Sequence, residues 1–75
     1  MQLNAIIEHD QDGYFAYVPA LKGCVSQGDT LEDALENIKE AIELYIEDME
    51  ENEISKTLKK AYIIAPIEVD LAHVG

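Results

Sequence analysis

The stretch GYFAYVPALKGCVSQGDTLEDALENI, residues 13–38, decides the fold because the spacing of its apolar residues changes partway along. Residues 14–18 are mostly aromatic or β-branched, which predicts a strand, and Pro19 ends it because proline has no N–H for a ladder hydrogen bond. A short loop leads to a second predicted strand at residues 24–27. Beyond Gly28 the apolar spacing becomes helical, so the stretch predicts two strands followed directly by a helix.

A long amphipathic helix begins inside this stretch and continues past its end. Thr30 stands before it as an N-cap, and Asp33 places a carboxylate three residues further on, close to a capping box. Acidic residues crowd the predicted C-terminal end, where the helix dipole is negative, so we expect fraying near residues 51–52. The apolar stripe consists of Leu31, Ala34, Leu35, Ile38, Ala41, Ile42, Tyr45, Ile46 and Met49.

The residues that precede this stretch predict a third strand, paired as a hairpin. Leu3, Ala5 and Ile7 alternate with other residues, which favours a half-buried strand over residues 2–9. The turn-forming cluster DQDG, residues 10–13, follows, and it predicts a tight connection to the next strand.

The residues that follow the helix are less regular. Residues 53–60 fit either a loop or a weak helical turn, whereas residues 62–65 predict a strand at a sheet edge or bulge because Pro66 follows. The order β-β-β-α-β predicts a single α+β domain over residues 1–75, an antiparallel sheet with one long amphipathic helix on one face. One helix covers only part of a four-stranded sheet, so we expect its other face or an edge to meet another chain.

Length and charge exclude several classes of protein. A chain of 75 residues buries only about 60% of its unfolded surface, so its core is small and self-association into a dimer or tetramer is expected. Sixteen acidic residues, five lysines and no arginine give a formal charge of −11. Such a field repels nucleic acid and suits a basic protein partner.

Cysteine content and hydropathy indicate the compartment. A single cysteine, Cys24, excludes an intramolecular disulfide and a cysteine-based zinc site, and we expect it to be a small buried apolar residue. Residues 1–7 carry no lysine or arginine, so no signal peptide is predicted, and no apolar run is long enough to span a membrane. The sequence therefore predicts a cytoplasmic protein.

Acidic side chains at the first hairpin are the candidate metal site. Glu8, Asp10 and Asp12 offer oxygen ligands for Mg²⁺, but aspartates at a turn more commonly bond nearby backbone N–H groups. His9 and His73 have no serine or cysteine at a spacing that suggests a catalytic relay, and the glycines form no phosphate-binding loop. We expect no catalytic residue, no bound metal and no cofactor.

Two groups of exposed side chains are the candidate partner-binding residues. Tyr14 and Tyr17 are three apart in a strand and face opposite sides of the sheet, so one is predicted to pack inside while the other is available to a partner. We predict that Tyr14, Tyr17 and Leu21 pack against the partner. One acidic helix face, either merely solvated or a docking strip for a basic partner, is predicted to steer it and contains Glu36, Glu40, Glu43 and Glu47.

The same central stretch resembles the HicB-like antitoxin family. The pattern is an aromatic strand, Pro-x-Leu-x-Gly-Cys, a short strand, Gly-Asp-Thr and a helix with Ala-Leu-x-Asn-Ile, and the resemblance covers about residues 2–70. The motif positions outside the helix are Pro19, Gly23, Cys24, Gly28, Asp29 and Thr30. The resemblance implies a partial ribonuclease H-like fold, which agrees with the order of elements predicted from periodicity.

The resemblance also implies a function. Family members are antitoxins of type II toxin–antitoxin pairs, which bind a small basic HicA-type mRNA-cleaving ribonuclease and occlude its active surface. Many carry a C-terminal DNA-binding segment; this chain ends at Gly75 just after the last predicted strand, so we expect no direct DNA binding by it. Two alternatives remain: an orphan oligomeric HicB-like module with another protein client, and a metal-dependent nuclease that uses the hairpin carboxylates.

Overall fold

The computed structural model describes residues 1–73. It has three strands, β1 (Ile6–Asp10), β2 (Gly13–Tyr17) and β3 (Val25–Gly28), two helices, α1 (Leu31–Glu47) and α2 (Glu51–Leu58), and a 3-10 turn (Leu71–His73). The α+β class and the β-β-β-α order are thus confirmed. The second and third strands lie within one residue of their predicted positions.

The three strands form one antiparallel sheet in the order β1-β2-β3. The Asp10 carboxylate accepts a hydrogen bond of 2.8 Å from the backbone N–H of Asp12, which holds the tight turn between β1 and β2. Gly13 leaves that turn at a φ of +135°, a conformation that side chains with a Cβ rarely adopt.

The first strand is shorter than predicted. It begins at Ile6 rather than near residue 2, because Ile6 pairs with Tyr17, the last residue of β2. Beyond Tyr17 the chain turns into the next loop, where Val18 donates its N–H to the carbonyl of Cys24 at 3.1 Å. Residues 1–5 therefore have no ladder partner, although Leu3 and Ala5 still pack against the core.

Helix α1 begins as its sequence predicts. Thr30 has an extended backbone, and its hydroxyl accepts a hydrogen bond of 3.1 Å from the backbone N–H of Asp33. The helix ends at Glu47, about four residues earlier than predicted, and its last turn contains no basic residue that would offset the negative end of the dipole.

The core lies between α1 and the sheet, where α1 packs against β3 and β2. Only Ala34 and Ile38 of the predicted apolar stripe are buried from α1; Leu31, Leu35 and Tyr45 remain substantially exposed. The cluster of buried residues consists of Ala16, Val18, Ala20, Leu21, Cys24 and Ile38. Cys24 is therefore the small buried apolar residue that the sequence predicts.

Of the ambiguous residues 53–60, all but Lys60 fall in helix α2 and its C-cap. Glu50 and Glu53 form a reciprocal capping box, in which each side chain bonds the backbone N–H of the other residue. Acidic residues in the first turn and Lys56 in the last turn both suit the dipole. No residue of α2 is buried, so local capping rather than packing explains the helix.

The predicted fourth strand is not formed within the chain. Residues 60–70 carry no regular secondary structure and all of them are exposed. Helix α2 has no buried residue, and the molecule extends over 48 × 29 × 17 Å. Its radius of gyration is 15.3 Å, against about 11 Å for a compact domain of this length. The ribonuclease H-like arrangement, which needs that last strand, stays a prediction. No helix within residues 1–73 is both long and apolar enough to cross a membrane.

Candidate partner-binding surfaces

The sheet has one face covered by α1 and one face that no other element of residues 1–73 covers. Alternation along the strands assigns every second residue to each face. Ala16 of β2, whose neighbours in the ladders are Ile7 and Ser26, lies on the covered face and is buried. The uncovered face, which we name the open face, consists of Ile6, Glu8, Phe15, Tyr17, Val25 and Gln27.

Two rows of paired side chains form the open face. The first row is Ile6, Tyr17 and Val25, which are neighbours across the three strands, and it is entirely apolar or aromatic. The second row places Phe15 between Glu8 and Gln27. Tyr17 is 36% exposed and Val25 more so. An apolar centre beside polar and acidic groups is the usual composition of a protein–protein interface.

Tyr14 lies on the opposite side of the sheet from Tyr17, as their spacing predicts. It pairs with His9 across β1 and β2, and the two rings stack with centroids 4.0 Å apart and planes 5° apart. Tyr14 is half-buried at the rim of the covered face. Of the two tyrosines, only Tyr17 is therefore positioned to meet a partner at the open face.

The expectation that Leu21 is exposed is wrong, because Leu21 belongs to the core and is 2% exposed; its contact with a partner stays a prediction. Its backbone N–H bonds the carbonyl of Val18 at 3.0 Å, and its own carbonyl accepts the N–H of Cys24 at 3.0 Å. These bonds close the loop between β2 and β3 into a compact turn that points Leu21 inward.

The acidic helix face, defined as Glu36, Glu40, Glu43 and Glu47, is exposed throughout. These positions lie on the side of α1 opposite the buried Ile38, since residues that are four, three and four apart share one face of a helix. The sheet covers the other side of α1. The acidic helix face and the open face thus lie on opposite sides of the two-layer molecule, and a single small partner cannot cover both.

Four of the six motif residues of the central stretch have roles in the fold. Gly28 lets α1 approach β3 closely, because a Cβ at this position would lie 2.6 Å from the backbone nitrogen of Ala34. Gly23 has a φ of +80° in the loop after β2. Thr30 caps α1, and Cys24 fills the core.

Sequence reasoning missed two polar side chains that tie α1 to the sheet and its loop. The Asn37 amide donates a hydrogen bond of 2.8 Å to the carbonyl of Gln27, and the Tyr45 hydroxyl donates one of 2.9 Å to the carbonyl of Lys22. Asn37 lies in the family-like Ala-Leu-x-Asn-Ile segment, but only the fold shows which carbonyl it meets. The sequence analysis also missed Phe15, Val25 and Ile6 as candidate contact residues. Only the register of the sheet shows that they lie on the open face.

The hairpin carboxylates are not gathered into a cluster of three or more potential metal ligands. Asp10 accepts the backbone N–H of Asp12, which is the turn-forming role, and Glu8 belongs to the open face. Across residues 1–73, no three side chains of histidine, cysteine, aspartate or glutamate converge as metal ligands do. Burial raises the pKa of the Cys24 thiol, which disfavours the thiolate that a nucleophile needs. The structure therefore gives the nuclease alternative no support.

Comparison with known proteins gives a consistent result. The model of the family described as HicB_like antitoxin of bacterial toxin-antitoxin system matches residues 3–74. A UPF0150 protein of Helicobacter pylori strain J99 is 60% identical over 72 residues, which cover 96% of this chain and all of that protein. A UPF0150 protein of Thermoplasma acidophilum is 51% identical, over 69% of this chain and 77% of its own length. An uncharacterised 14.9 kDa protein of Haemophilus phage HP1 is 39% identical, over 89% of this chain and 59% of its own length. No solved structure matches this chain.

Proposed function

Since this chain belongs to the HicB-like antitoxin family of bacterial toxin–antitoxin systems, we propose that it is a non-enzymatic antitoxin that inhibits a small basic HicA-type ribonuclease. Inhibition is by occlusion of the toxin's active surface, so no bond of the toxin or of RNA is broken by this chain. The observation that carries the mechanism is the placement of the open face and the acidic helix face on opposite sides of the molecule.

In this proposal the acidic helix face attracts the toxin from a distance, before the two proteins touch. Charges attract an oppositely charged partner over about 10 Å at 0.1 M salt, so they raise the association rate without touching the partner in the complex. The formal charge of −11 makes the whole chain attractive to a basic protein, and four of the sixteen acidic residues lie on this one helix face. Their role is steering.

The open face makes the contact. Tyr17 lies at the centre of its apolar row, and a partly exposed tyrosine surrounded by apolar neighbours is typical of the residues that contribute most to binding. Glu8 and Gln27 flank Phe15 in the second row, and they offer acceptors to the lysines or arginines of a basic ribonuclease.

Association kinetics with the purified HicA-type toxin test this division of roles. Replacing Glu36, Glu40, Glu43 and Glu47 together by glutamine is expected to lower the association rate constant about 10-fold at low salt and to leave the dissociation rate constant unchanged. Tyr17→Ala is expected to raise the dissociation rate constant at least about 10-fold with little effect on association. Leu44→Ala is the matched control, because Leu44 is also exposed, at 66%, but lies on α1, outside the open face.

Ribonuclease activity is measured alongside binding. The wild-type chain is expected to stop RNA cleavage at a stoichiometric ratio, and Tyr17→Ala to require an excess. A toxin that cleaves RNA at full rate while bound would contradict occlusion. Failure of the chain to bind any HicA-type toxin, with capture of a different protein from the host, would instead support the orphan module.

The proposal includes self-association of the chain into a homo-oligomer, a dimer or a tetramer. Two features support it: the expanded radius of gyration of the single chain, and the apolar side chains that residues 60–70 expose to solvent. Soluble proteins rarely leave so contiguous an apolar segment uncovered.

A further inference from the structure

The segment after α2 has the sequence pattern of a half-buried strand, but its side chains are exposed in the single chain. Every odd-numbered residue from 61 to 71 is apolar, whereas the even-numbered residues change from apolar to proline and then to acidic. Apolar and acidic residues alternate strictly over residues 67–71, and the odd positions from 61 to 65 extend the same apolar stripe along one face of a strand. We name it the odd stripe: Ala61, Ile63, Ala65, Ile67, Val69 and Leu71. All six side chains are exposed in the single chain.

An apolar groove lies open elsewhere in the same molecule. It has a volume of about 520 Å³ and runs between the residues that precede β1 and the side of α1 that faces them. Most of its lining is apolar: Met1, Leu3, Ala5, Leu35, Ile42 and Ile46, among others. The groove is open because α1 packs over β3 and β2, which leaves its flank on the β1 side without a covering strand.

The groove borders the free edge of the sheet. β1 pairs only with β2, so the backbone N–H and C=O groups on its other side have no strand partner within residues 1–73. β1 and the five residues before it make an edge of about ten residues, close in length to the segment that carries the odd stripe. A strand added there would bond the free edge and place one face over the groove.

We infer that residues 61–71 of one copy lie along the free edge of β1 in a second copy, with the odd stripe packed into that copy's groove. The inference rests on the self-association proposed above and names the segment and the surface responsible. A second copy is the occupant because the segment does not cover its own groove: its residues are all exposed in the single chain, which extends to 48 Å. Reciprocal exchange of the two segments gives a symmetric dimer with both grooves filled.

Two neighbouring isoleucines provide a matched test. Ile63 and Ile64 are both highly exposed in the single chain, at 89% and 75%, but only Ile63 belongs to the odd stripe. Ile63→Asp is expected to raise the dimer dissociation constant at least about 30-fold, because each dimer would bury two aspartates in apolar grooves. Ile64→Asp is expected to stay within about threefold of wild type. Sedimentation equilibrium of the full chains gives both values, and circular dichroism checks that both variants are folded.

Complementation separates exchange between chains from closure within one chain. Leu35→Asp damages the groove and leaves the segment intact, whereas Ile63→Asp does the reverse. Neither variant alone can form a good segment-to-groove contact, but a 1:1 mixture has one intact contact in each heterodimer. We expect each variant alone to be monomeric and the mixture to recover mass as heterodimer.

Several results would overturn the exchange of segments between two copies. A wild-type chain that is monomeric at all concentrations, with a radius of gyration near 11 Å by X-ray scattering, would show that the segment closes its own groove. A dimer that both isoleucine variants weaken equally, or that Ile63→Asp leaves intact, would place the interface elsewhere. These measurements need no toxin, so inhibition of the ribonuclease by a monomeric chain would overturn this inference and leave the proposed antitoxin function standing.

Discussion

Gly28 is the point at which β3 and α1 come closest. A Cβ on Gly28 would lie 2.6 Å from the nitrogen of Ala34 and 2.7 Å from the Cβ of Asp33, so the first turn of α1 would have to move. We expect Gly28→Ala to lower the free energy of unfolding by about 1–3 kcal/mol, as overpacking of a tight contact does. Chemical denaturation measures it. Gln27→Ala, one residue earlier and exposed, is the control, and an equal loss there would contradict the close-contact explanation.

Cys24 gives the stability a dependence on pH that can be measured. Burial raises the pKa of its thiol above the ordinary value of 9.0, so the folded chain keeps this proton to a higher pH than the unfolded chain. The thiol's contribution to stability is therefore fully present below pH 9.0 and is lost as the pH rises through the folded-state pKa.

The comparison that isolates this effect is with Cys24→Ala. Between about pH 7.5 and about pH 10, the wild-type free energy of unfolding is expected to fall more than that of the variant, by at most about 1.4 kcal/mol per pH unit above the thiol's unfolded pKa. Contributions from groups that both proteins share cancel in the difference. Identical pH profiles would mean that Cys24 is reached by solvent in the folded chain.

Single residues show how far the sequence alone can predict this molecule. The opposite placement of Tyr14 and Tyr17 follows from the period of a strand, and the structure has it. The burial of Leu21 cannot be predicted from the sequence. It depends on backbone hydrogen bonds with Val18 and Cys24 that turn the loop inward, and no side-chain pattern indicates these bonds. The same holds for Asn37, whose acceptor is a carbonyl ten positions earlier in the chain.

Among the elements, α1 depends on a narrow set of contacts. Ile38 is 3% exposed and lies at the middle of the helix against the core, so Ile38→Ala is expected to cost about 2–5 kcal/mol of unfolding free energy. Leu44→Ala is the matched control, because Leu44 is in the same helix but 66% exposed, and its cost is expected to stay below about 0.5 kcal/mol. Equal losses would mean that the buried face of α1 is assigned wrongly.

The elements beyond α1 mark the limit of local reasoning. Glu50 and Glu53 form the capping box of α2, but glutamate is not a preferred N-cap residue, so the sequence predicts either a loop or a weak helical turn for residues 53–60. Residues 61–71 have the alternation of a strand, but alternation does not say which sheet a strand joins. A strand needs a partner edge, and the free edge here belongs to β1, either of the same chain or of another.

For the whole molecule, the two proposed associations use different surfaces and different forces. Capture of the toxin uses the open face and the attraction between a chain of charge −11 and a basic protein. Self-association joins two chains of that same negative charge, so it is driven by burial of the odd stripe and opposed by repulsion. Occupation of the groove and edge by a second copy leaves the open face of each copy available. We therefore expect the proposed dimer to hold two toxins.

Salt is expected to shift these two equilibria in opposite directions. Raising NaCl from about 50 mM to about 500 mM shortens the screening length, which lowers the toxin association rate constant about 10-fold and removes repulsion between copies, so the dimer tightens. Sedimentation equilibrium and binding kinetics over the same salt series measure both. The salt must be NaCl, since sulfate strengthens apolar burial by a separate route. Weakening of the dimer by NaCl would mean that ion pairs hold the copies together. A toxin association rate constant that does not change with salt would contradict steering by the acidic helix face.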